Sequence, residues 1–481
     1  MENWLTKRAR LTPTRVAVTD GQKQMTFSEV AQAAAAMAGR IAMLKSAQNH
    51  DRIALLMVNN LSGYLVIMAL QQLGKTIVFI NRRLSVAEIN YQLSDADVDI
   101  VLTDDYYEQK LVVQQQVKFS DLPSGKPVTP TSYYPNDFVT SIMYTSGTTS
   151  HPKGVMQTYQ NHFMSAMGSA LNLGITANDA WLTVVPIFHI SGFSILMRSL
   201  LYGMRVVLVE KFNASKVNDW LIHDTITTMS VVPVMLKTLL AELPDGVNYN
   251  DHFRTMLLGG GPTDKQTLQQ AQAHHIPIIQ SYGMTETASQ VVALAPEDIQ
   301  EKLGSVGKPL FPVTVDIRDD QGQSTAVGNI WIKTPTLTPG YLNQPDQLNK
   351  NMSSGWFNTE DFGYFDTDGF LYIQGRQGDM ISSGGENIFP DEVESMYAKM
   401  PGLENIVVIG VPDEKWGAIP VAVVSGTHLS MADLRTYGRE RLAHYKVPKH
   451  FYRAKTWYRT ASGKVQRHRF AQALNELQAL E

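Results

Sequence analysis

The chain has 481 residues, of which 44% are hydrophobic and 18% are charged, and its formal net charge is −4. This length predicts a large domain with a smaller one attached, and the near-neutral charge gives no reason to expect a nucleic acid or an anionic membrane as partner. The chain contains no cysteine, which excludes disulfides, thiolate metal sites and a catalytic thiol.

The sequence shows no signal for export or membrane insertion. Residues 1–5 lack a charged region followed by an apolar core, so we expect no signal peptide. The most apolar run, at 53–70, is interrupted by Asn59, Asn60 and Gly63 and is too broken for a membrane span. We therefore expect a cytoplasmic protein.

Apolar periodicity predicts β-strands that alternate with α-helices over more than half of the chain. This alternation indicates a largely parallel sheet with helices on both faces. The predicted strands lie at 16–19, 24–26, 52–57, 77–80, 100–103, 138–144, 180–183, 205–209, 228–232, 256–258 and 278–281, and the predicted helices at 3–10, 27–44, 63–73, 85–93, 161–171, 190–202, 217–223 and 234–243.

The pattern changes in the last third of the chain. Short predicted strands with Gly and Pro turns over 313–372 indicate a small antiparallel or barrel-like unit. After Arg376, the pattern predicts a compact α/β module of ordinary domain size. We therefore predict an α/β protein with a large N-terminal domain, 1–376, of parallel sheets plus the barrel-like unit, and a smaller C-terminal α/β domain, 379–481, with a junction near 376–379.

A run of small and hydroxyl-bearing residues follows the predicted strand at 138–144. Residues 144–155 read Y-T-S-G-T-T-S-H-P-K-G-V, and their backbone N–H and side-chain O–H donors suit phosphate oxygens. Lys153 adds a positive charge that can reach a phosphate. The nucleotide-triphosphatase loop is excluded, because no glycine precedes this lysine and no hydroxyl follows it. On composition alone, a polar loop between a strand and a helix is the commoner origin of such a run.

A second polar stretch, S-Y-G-M-T-E-T at 281–287, follows another predicted strand. Tyr282 can stack on a flat base, Thr285 offers a hydroxyl, and Glu286 offers a hard oxygen ligand for Mg²⁺. Alone, a strand-to-helix turn with a capping threonine explains the stretch about as well. Because ligands lie beyond the carboxyl ends of parallel strands, we expect it to meet the hydroxyl-rich run.

Together these stretches resemble signature motifs of the adenylate-forming superfamily, the acyl- and aryl-CoA synthetases. The resemblance covers essentially the whole chain, with at least five motifs in family order. It implies that a carboxylate attacks the α-phosphorus of ATP–Mg²⁺ to give an acyl-adenylate and pyrophosphate, and that the thiol of CoA then displaces AMP. It also implies a mobile C-terminal domain that rotates between these two half-reactions.

The resemblance assigns roles residue by residue. It implies that Tyr282 contacts adenine, that Thr285 contacts the α-phosphate and that Glu286 holds the metal. Lys464, in T-A-S-G-K-V-Q-R, matches the lysine that bridges the acyl carboxylate and the α-phosphate. It joins Thr285, Glu286 and His189 as a candidate catalytic residue. The matched nucleotide-binding positions are Thr145, Ser146, Gly147, Thr148, Thr149, Lys153, Gly260, Gly261, Ser281, Tyr282, Gly283, Met284, Thr285, Asp361, Arg376 and Lys464.

Three positions depart from the family pattern. Ser150 and Glu360 stand where the family usually has glycine. The resemblance therefore does not predict the flexibility of the loop at Ser150 or the conformation of the turn at Glu360. Gly378 occupies the position at which the family pivots its C-terminal domain, where a small polar residue is more usual. A glycine suits a backbone that adopts two conformations, although an ordinary loop glycine would read the same way.

The resemblance also places the acyl and CoA sites. His189, in P-I-F-H-I-S-G, matches a residue at the acyl pocket, and a packed loop histidine is its alternative; no second histidine stands at zinc-ligand spacing. The acyl-pocket candidates are His189, Ser191, Arg198, Gly259 and Gly283, and the CoA candidates are Ser383, Gly384, Gly385, Trp416 and Lys446. For Trp416, a half-buried core position is equally compatible with the sequence.

Several stretches resemble one branch of the superfamily, the one that joins o-succinylbenzoate to CoA in menaquinone biosynthesis. They include Q-T-Y-Q-N-H at 157–162 and G-M-T-E-T-A-S-Q at 283–290. Its substrate is an aromatic dicarboxylate, so the pocket needs a partner for the second carboxylate. Arg198 is a candidate because it stands seven positions after Ser191 on a predicted helix, although a solvated arginine is the more common case.

Three alternatives stay open. One is another aryl- or medium-chain acyl-CoA ligase, which shares every motif except the branch-specific stretches. The second is an amino-acid-activating domain, although residues 230–237 lack the expected anchoring aspartate. The third is a non-catalytic ATP-binding module, against which Glu286 and Lys464 argue. The sequence leaves a homodimer open as well.

Overall fold

A computed structural model of the protein describes residues 1–145, 152–244, 246–261, 263–383, 386–427, 429–459 and 465–480, with the side chain of Asn387 left aside. Within these ranges, the strands form four sheets. None of the helices in these ranges has the length and apolar character that a membrane crossing requires.

The helices of the described chain are α1 Trp4–Leu11, α2 Phe27–Ala42, α3 Lys45–Asn49, α4 Leu61–Gln72, α5 Val86–Asp95, α6 Tyr159–Leu173, α7 Ile190–Tyr202, α8 Ala214–His223, α9 Pro233–Glu242, α10 Lys265–Ala273, α11 Pro345–Asn349, α12 Pro390–Tyr397, α13 Met431–Arg439 and α14 Arg467–Gln472. The strands are β1 Val16–Thr19, β2 Gln24–Thr26, β3 Arg52–Leu56, β4 Thr76–Phe79, β5 Ile100–Thr103, β6 Gln115–Lys118, β7 Val139–Thr145, β8 Lys153–Thr158, β9 Ala180–Thr183, β10 Arg205–Leu208, β11 Thr228–Val231, β12 Thr255–Leu258, β13 Ile278–Met284, β14 Ser289–Ala293, β15 Lys308–Pro309, β16 Thr314–Arg318, β17 Val327–Lys333, β18 Met352–Ser353, β19 Trp356–Phe365, β20 Leu371–Arg376, β21 Ile381–Ser383, β22 Glu386–Ile388, β23 Leu403–Asp413, β24 Gly417–Gly426, β25 His450–Arg453 and β26 Gln478–Ala479.

Two α/β sheets form the body of the protein. A six-stranded sheet has the order β6-β5-β3-β4-β7-β8, and a nine-stranded sheet has the order β15-β14-β13-β12-β11-β9-β10-β1-β2. Pairing is parallel in the middle of each sheet and antiparallel at β7–β8, β1–β2, β13–β14 and β14–β15. The core strands are buried throughout, as expected for sheets that helices cover on both faces. The predicted parallel α/β body is confirmed.

Local capping explains where several helices begin. Thr26 and Glu29 form a capping box at the start of α2, and Ser85 and Glu88 form one at the start of α5. A local signal also ends α7: its C-cap, Gly203, takes the left-handed conformation with a φ of 74°. These signals are local, and they account for the close agreement between the helices that were predicted and those observed, whereas α3, α10 and α11 were not predicted.

The last third of the chain folds as predicted into antiparallel structure and an α/β module. Strands β16 to β20 form a five-stranded antiparallel sheet. Strands β21 to β26 form a separate six-stranded sheet with its own hydrophobic core, which includes Val393, Tyr397 and Phe451. The exact boundary at 376–379 stays a prediction.

Two local alternatives that the sequence left open do not hold. Strand β13 continues to Met284, and a short 3₁₀ turn, Thr285–Thr287, leads into β14, so the stretch at 281–287 is the tip of a β-hairpin and not a strand-to-helix turn. Likewise, the hydroxyl-rich run is followed by a strand and not directly by a helix, because β8 begins at Lys153 and pairs with β7. Neither β8 nor β14 alternates strictly between buried and exposed residues, so neither carries a period-two signal in its sequence.

Candidate active site

The β7–β8 hairpin and the tip of the β13–β14 hairpin lie together, as the sequence predicts. The side-chain amide of Gln157 donates to the main-chain oxygen of Thr285 at 2.9 Å. Its own oxygen accepts from the Ser141 hydroxyl at 2.8 Å, and both side chains are fully buried. A buried amide with both ends satisfied fixes one hairpin against the other.

Glu286 projects from this tip toward Tyr341. The Tyr341 hydroxyl donates to Glu286 Oε1 at 3.0 Å, and the main-chain oxygen of Glu286 accepts from the Thr338 amide at 2.7 Å. Burial, followed by the nearby Glu286 carboxylate, raises the pKa of Tyr341 above its usual range. Lys153 Nζ lies 5.3 Å from the centre of the Tyr341 ring. A carboxylate and a lysine therefore face the same tyrosine.

The predicted Mg²⁺ site consists of one carboxylate. In the described part of the chain, no group of three or more acidic or histidine side chains is arranged so that it could hold a metal ion. Mg²⁺ usually keeps several waters and binds one or two carboxylates together with substrate phosphates. Glu286, with a fixed orientation and a lysine nearby, fits that pattern and would hold the ion through its carboxylate.

Asp361 lies between Tyr282 and Arg376. The Tyr282 hydroxyl donates to Asp361 Oδ2 at 2.5 Å, and Arg376 Nε lies 3.3 Å from Asp361 Oδ1. Strand pairing explains the second contact, since Asp361 and Arg376 are direct partners in β19 and β20. Burial works against the charge of Arg376, but Asp361 raises its pKa above the ordinary value. The structure thus brings together three of the predicted nucleotide-binding residues.

Two glycines allow close approach of the backbone around this site. A Cβ atom at Gly259 would lie 3.1 Å from the Ser281 hydroxyl oxygen, and one at Gly283 would lie 2.1 Å from the main-chain oxygen of Ser289. Gly260 has a φ of +84°, which disfavours any side chain there. Ser281 Oγ donates to the Leu258 carbonyl at 3.2 Å, which joins the ends of β12 and β13.

The acyl-pocket candidates follow the start of α7. His189 is the residue before the helix, and its ring packs 4.7 Å from that of Phe188. Ser191 is exposed in the first turn, whereas Arg198 is only 2% exposed. The expectation that Arg198 is a solvated helix arginine is therefore wrong, because α7 is packed along its length and turns this side chain inward.

The CoA candidates separate into two places. Ser383 in β21 pairs with Gly417 in β24. Trp416 directly precedes Gly417 in the chain, so it lies near Ser383. Trp416 is 45% exposed, with Lys415 Nζ 4.9 Å from its ring, so the core alternative for this tryptophan is wrong. Lys446 Nζ lies 2.6 Å and 2.7 Å from the two carboxylate oxygens of Glu392.

Several predicted residues lie outside the described residues. They are Ser146, Gly147, Thr148, Thr149, Ser150, Gly384, Gly385 and Lys464. Among the described departures from the family pattern, Glu360 has a φ of +61°, the left-handed region that favours glycine. Gly378 lies in the 3₁₀ turn Gln377–Asp379, where an added Cβ would meet no atom within 4 Å.

Three residues that contact the site were not predicted: Gln157, Tyr341 and Ser289. Tyr341 lies 55 positions from Glu286, and Gln157 lies 128 positions from Thr285. Such pairs depend on which sheet edges meet, and no local periodicity encodes that. The Q-T-Y-Q-N-H stretch, which contains Gln157, was the available signal.

Comparison with known proteins bears on this arrangement. The model of the AMP-binding enzyme family matches residues 5–342, and that of the AMP-binding enzyme C-terminal domain matches residues 392–464. The chain belongs to the AMP-binding enzyme family. The predicted membership of the adenylate-forming superfamily is thereby confirmed.

Relatives of this AMP-binding enzyme match it from end to end. The chain is 44% identical to 2-succinylbenzoate–CoA ligase of Listeria monocytogenes serovar 1/2a, over 98% of both proteins, and 43% identical to the protein of that name from a Geobacillus species, over 98% and 97%. Among solved structures, it resembles o-succinylbenzoate CoA synthetase from Bacillus subtilis in complex with the acyl-adenylate intermediate OSB-AMP. That match has a TM-score of 0.94 and 39% identity, and it covers 100% of this chain and 99% of the other. The complex of the same protein with ATP and magnesium ion matches with a TM-score of 0.92.

Proposed function

We propose that this AMP-binding enzyme is an AMP-forming o-succinylbenzoate–CoA ligase of menaquinone biosynthesis. It uses ATP, Mg²⁺ and CoA and yields o-succinylbenzoyl-CoA, AMP and pyrophosphate. The observation that carries the proposal is the end-to-end likeness to a synthetase whose structure contains OSB-AMP. The resemblance of 157–162 and 283–290 to the same branch supports it independently of the fold.

The geometry of the described residues suits the first half-reaction. Asp361, held by Tyr282 and Arg376, presents a fixed carboxylate to a pair of ribose hydroxyls. Thr285, whose carbonyl is anchored by Gln157, would offer its hydroxyl to the α-phosphate. One oxygen of the substrate carboxylate bonds to the α-phosphorus as the bond to pyrophosphate breaks. Mg²⁺, when bound at Glu286, supplies positive charge for the phosphate oxygens.

The second half-reaction needs a different set of side chains. The CoA thiolate attacks the acyl carbon, and the acyl–oxygen bond breaks with AMP as leaving group. We assign Ser383 and Trp416 to CoA; the pairing of Ser383 with Gly417, which follows Trp416 in the chain, supports a shared site. Lys464 would serve the first half-reaction only, with the C-terminal domain rotating near Gly378 between the two. We also propose a cytoplasmic location, where ATP and CoA are supplied.

The test is pyrophosphate release with ATP, Mg²⁺ and o-succinylbenzoate, with benzoate and octanoate as competing acids, in the presence and absence of CoA. We expect turnover with o-succinylbenzoate, and the CoA thioester only when CoA is present. Selective turnover of another acid would retain the adenylation chemistry and reject the pathway. No turnover with any acid would reject the ligase itself.

A further inference from the structure

Residues 335–342 form a connecting segment that contains no helix or strand and lies along β8. The Met156 amide donates to the Gly340 carbonyl at 3.2 Å. Tyr341, the next residue of the segment, pairs with Val155 in an isolated antiparallel bridge. One end of the segment is therefore fixed to β8.

Helix α6 holds the other end of the same segment. The side-chain amide of Asn161 donates to the carbonyls of Pro335 and Leu337, at 3.1 Å and 2.9 Å. Asn161 is itself buried, and it closes a capping box with Thr158 at the start of α6. With supports at both ends, the segment is an ordered base for the side chains that it carries.

Glu286, the residue assigned to Mg²⁺, contacts this segment through both its backbone and its side chain. Its carbonyl accepts from the Thr338 amide at 2.7 Å, and its Oε1 accepts from the Tyr341 hydroxyl at 3.0 Å. Tyr341 is only 8% exposed, so water competes little for this hydrogen bond. The two contacts fix both the position and the rotation of the Glu286 carboxylate.

The hydrogen bond from Tyr341 distinguishes the two carboxylate oxygens of Glu286. Oε1 is engaged by the hydroxyl, whereas Oε2 accepts no hydrogen bond from the described residues. Mg²⁺ demands near-ideal octahedral geometry, and carboxylates that bind metals are themselves oriented by hydrogen bonds. Oε2 is therefore the atom that the described protein leaves to the ion.

Tyr341 also adjoins the lysine of the hydroxyl-rich run. Lys153 Nζ lies 5.3 Å from the centre of the Tyr341 ring, and Lys153 is the first residue of β8, to which the tyrosine is paired. A metal ion at Glu286 and the ammonium group of Lys153 would both bind phosphate oxygens. One tyrosine thus relates the positions of the two positive charges that a triphosphate needs.

We propose that Tyr341 is a positioning residue for Mg²⁺, because its hydroxyl holds Glu286 in the orientation in which Oε2 binds the ion that accompanies ATP. The proposal rests on the assignment of Mg²⁺ to Glu286 in the proposed function. It makes the affinity for ATP–Mg²⁺ depend on the Tyr341 hydroxyl. The affinity for AMP does not depend on it, since AMP has no β- or γ-phosphate for the metal to bridge.

The test is calorimetric titration of the natural protein and of Tyr341→Phe with ATP and Mg²⁺ and, separately, with AMP. Tyr341→Phe removes one oxygen and keeps the ring beside Lys153. It should raise the Kd for ATP–Mg²⁺ by about 10-fold or more, as for other groups that orient a metal ligand, and change the Kd for AMP by less than about twofold. Tyr249→Phe is the matched control: it removes a buried hydroxyl that donates to Asn218 at 2.8 Å, outside the site, and should change neither Kd.

A further variant tests whether the hydroxyl acts through Glu286. Glu286→Gln by itself should weaken the binding of ATP–Mg²⁺. Adding Tyr341→Phe to it should change that Kd by less than about twofold, because the effects of two residues that act as one unit are not additive.

Equal rises in the Kd for ATP–Mg²⁺ and for AMP, no rise in either, or the same loss in the Glu286→Gln background would overturn the proposal. A Tyr341→Phe protein that does not fold would overturn it as well, since the hydroxyl would then be a requirement of the fold. If Glu286→Gln binds ATP–Mg²⁺ as tightly as the natural protein, the metal assignment is wrong and the proposal falls with it. Turnover of o-succinylbenzoate would still decide the ligase function separately.

Discussion

The Tyr282 hydroxyl donates a hydrogen bond of 2.5 Å to Asp361 Oδ2. These residues belong to different sheets, so the bond joins the nine-stranded α/β sheet to the antiparallel unit. Because Arg376 contacts the other oxygen of the same carboxylate, Asp361 is held in one orientation. A nucleotide that binds here meets an acceptor that is already ordered, which reduces the entropy cost of binding.

Asp361→Asn should weaken nucleotide binding. The amide has one acceptor oxygen and no charge, so it cannot accept from Tyr282 and also present a negatively charged oxygen to Arg376. We expect the KM for ATP to rise by about 10- to 100-fold, as for a charged hydrogen bond. Steady-state kinetics measures this, with Asp368→Asn, an exposed carboxylate paired with Lys302, as the matched control. An unchanged KM for ATP would show that Asp361 does not contact the nucleotide.

Gln157→Leu should lower kcat more than it raises the KM for the acid. The substitution leaves the half-buried carbonyl of Thr285 without its amide partner, whereas the Ser141 hydroxyl keeps its contact with His162 Nε2 at 3.0 Å. A buried group without its hydrogen bond costs about 1–3 kcal/mol. We expect the hairpin tip to shift in response, which would misplace Thr285. Rates of pyrophosphate release give kcat and the KM for the acid. Gln114→Leu, at an exposed glutamine, serves as control. A loss of thermal stability with kcat unchanged would contradict a positioning role.

Glu360→Gly should stabilise the protein. Glu360 has a φ of +61°. This left-handed conformation costs a residue with a Cβ roughly 1–2 kcal/mol, and glycine avoids that cost. The greater freedom of glycine in the unfolded chain offsets about half of the gain. We expect a higher midpoint of thermal unfolding. Asn343→Gly is the control, because Asn343 also has a left-handed φ, of 56°. Asparagine tolerates this conformation, and its side chain donates to the Asp95 carbonyl, so glycine should bring no gain in stability there. A lower midpoint for Glu360→Gly would mean that the carboxylate makes a stabilising contact.

His162 should make stability depend on pH in the acid range. Burial, followed by the charge of Arg198, lowers the pKa of His162 to about 3. The unfolded chain binds a proton below its ordinary pKa of about 6.5, whereas the folded protein does not, so stability is fully present above pH 6.5 and falls as the pH falls toward 3. Between pH 6.5 and 5, the loss should be about 2 kcal/mol.

Urea unfolding at several pH values measures the effect of His162. In His162→Gln, the free energy of unfolding should vary less between pH 5 and 6.5 than in the natural protein. His223→Gln, at an exposed histidine with 73% side-chain exposure, should leave the pH dependence unchanged. The same slope in both variants would show that other groups cause the acid sensitivity.

Lys464→Ala should separate the two half-reactions. A lysine that stabilises charge on the pentavalent phosphorus is needed only for adenylation, so we expect a loss there of at least about 100-fold. Thioester formation from a preformed acyl-adenylate and CoA should be largely spared. Single-turnover measurements of each half-reaction give the comparison, and equal loss in both would contradict rotation of the C-terminal domain between two catalytic states.

The sequence alone was sufficient for features that depend on neighbouring residues. Buried strands such as 100–103 and 180–183 and helix α7 were predicted at their observed bounds, because apolar period and local capping are written in consecutive residues. The order of the motifs likewise predicted that the hydroxyl-rich run and the stretch at 281–287 would meet, since both follow predicted strands. The two hairpins do meet, through Gln157 and Thr285, although they belong to different sheets.

Only the tertiary structure decided how distant residues combine. Whether Arg198 faces solvent or the interior depends on which layers cover α7, and the contacts of Tyr282 with Asp361 and of Glu286 with Tyr341 depend on which sheets meet. These are properties of long-range packing, where each partner is set by the whole arrangement and not by its own neighbours in the chain. The family and the chemistry follow from sequence, whereas the burial of Arg198 is a consequence of the fold.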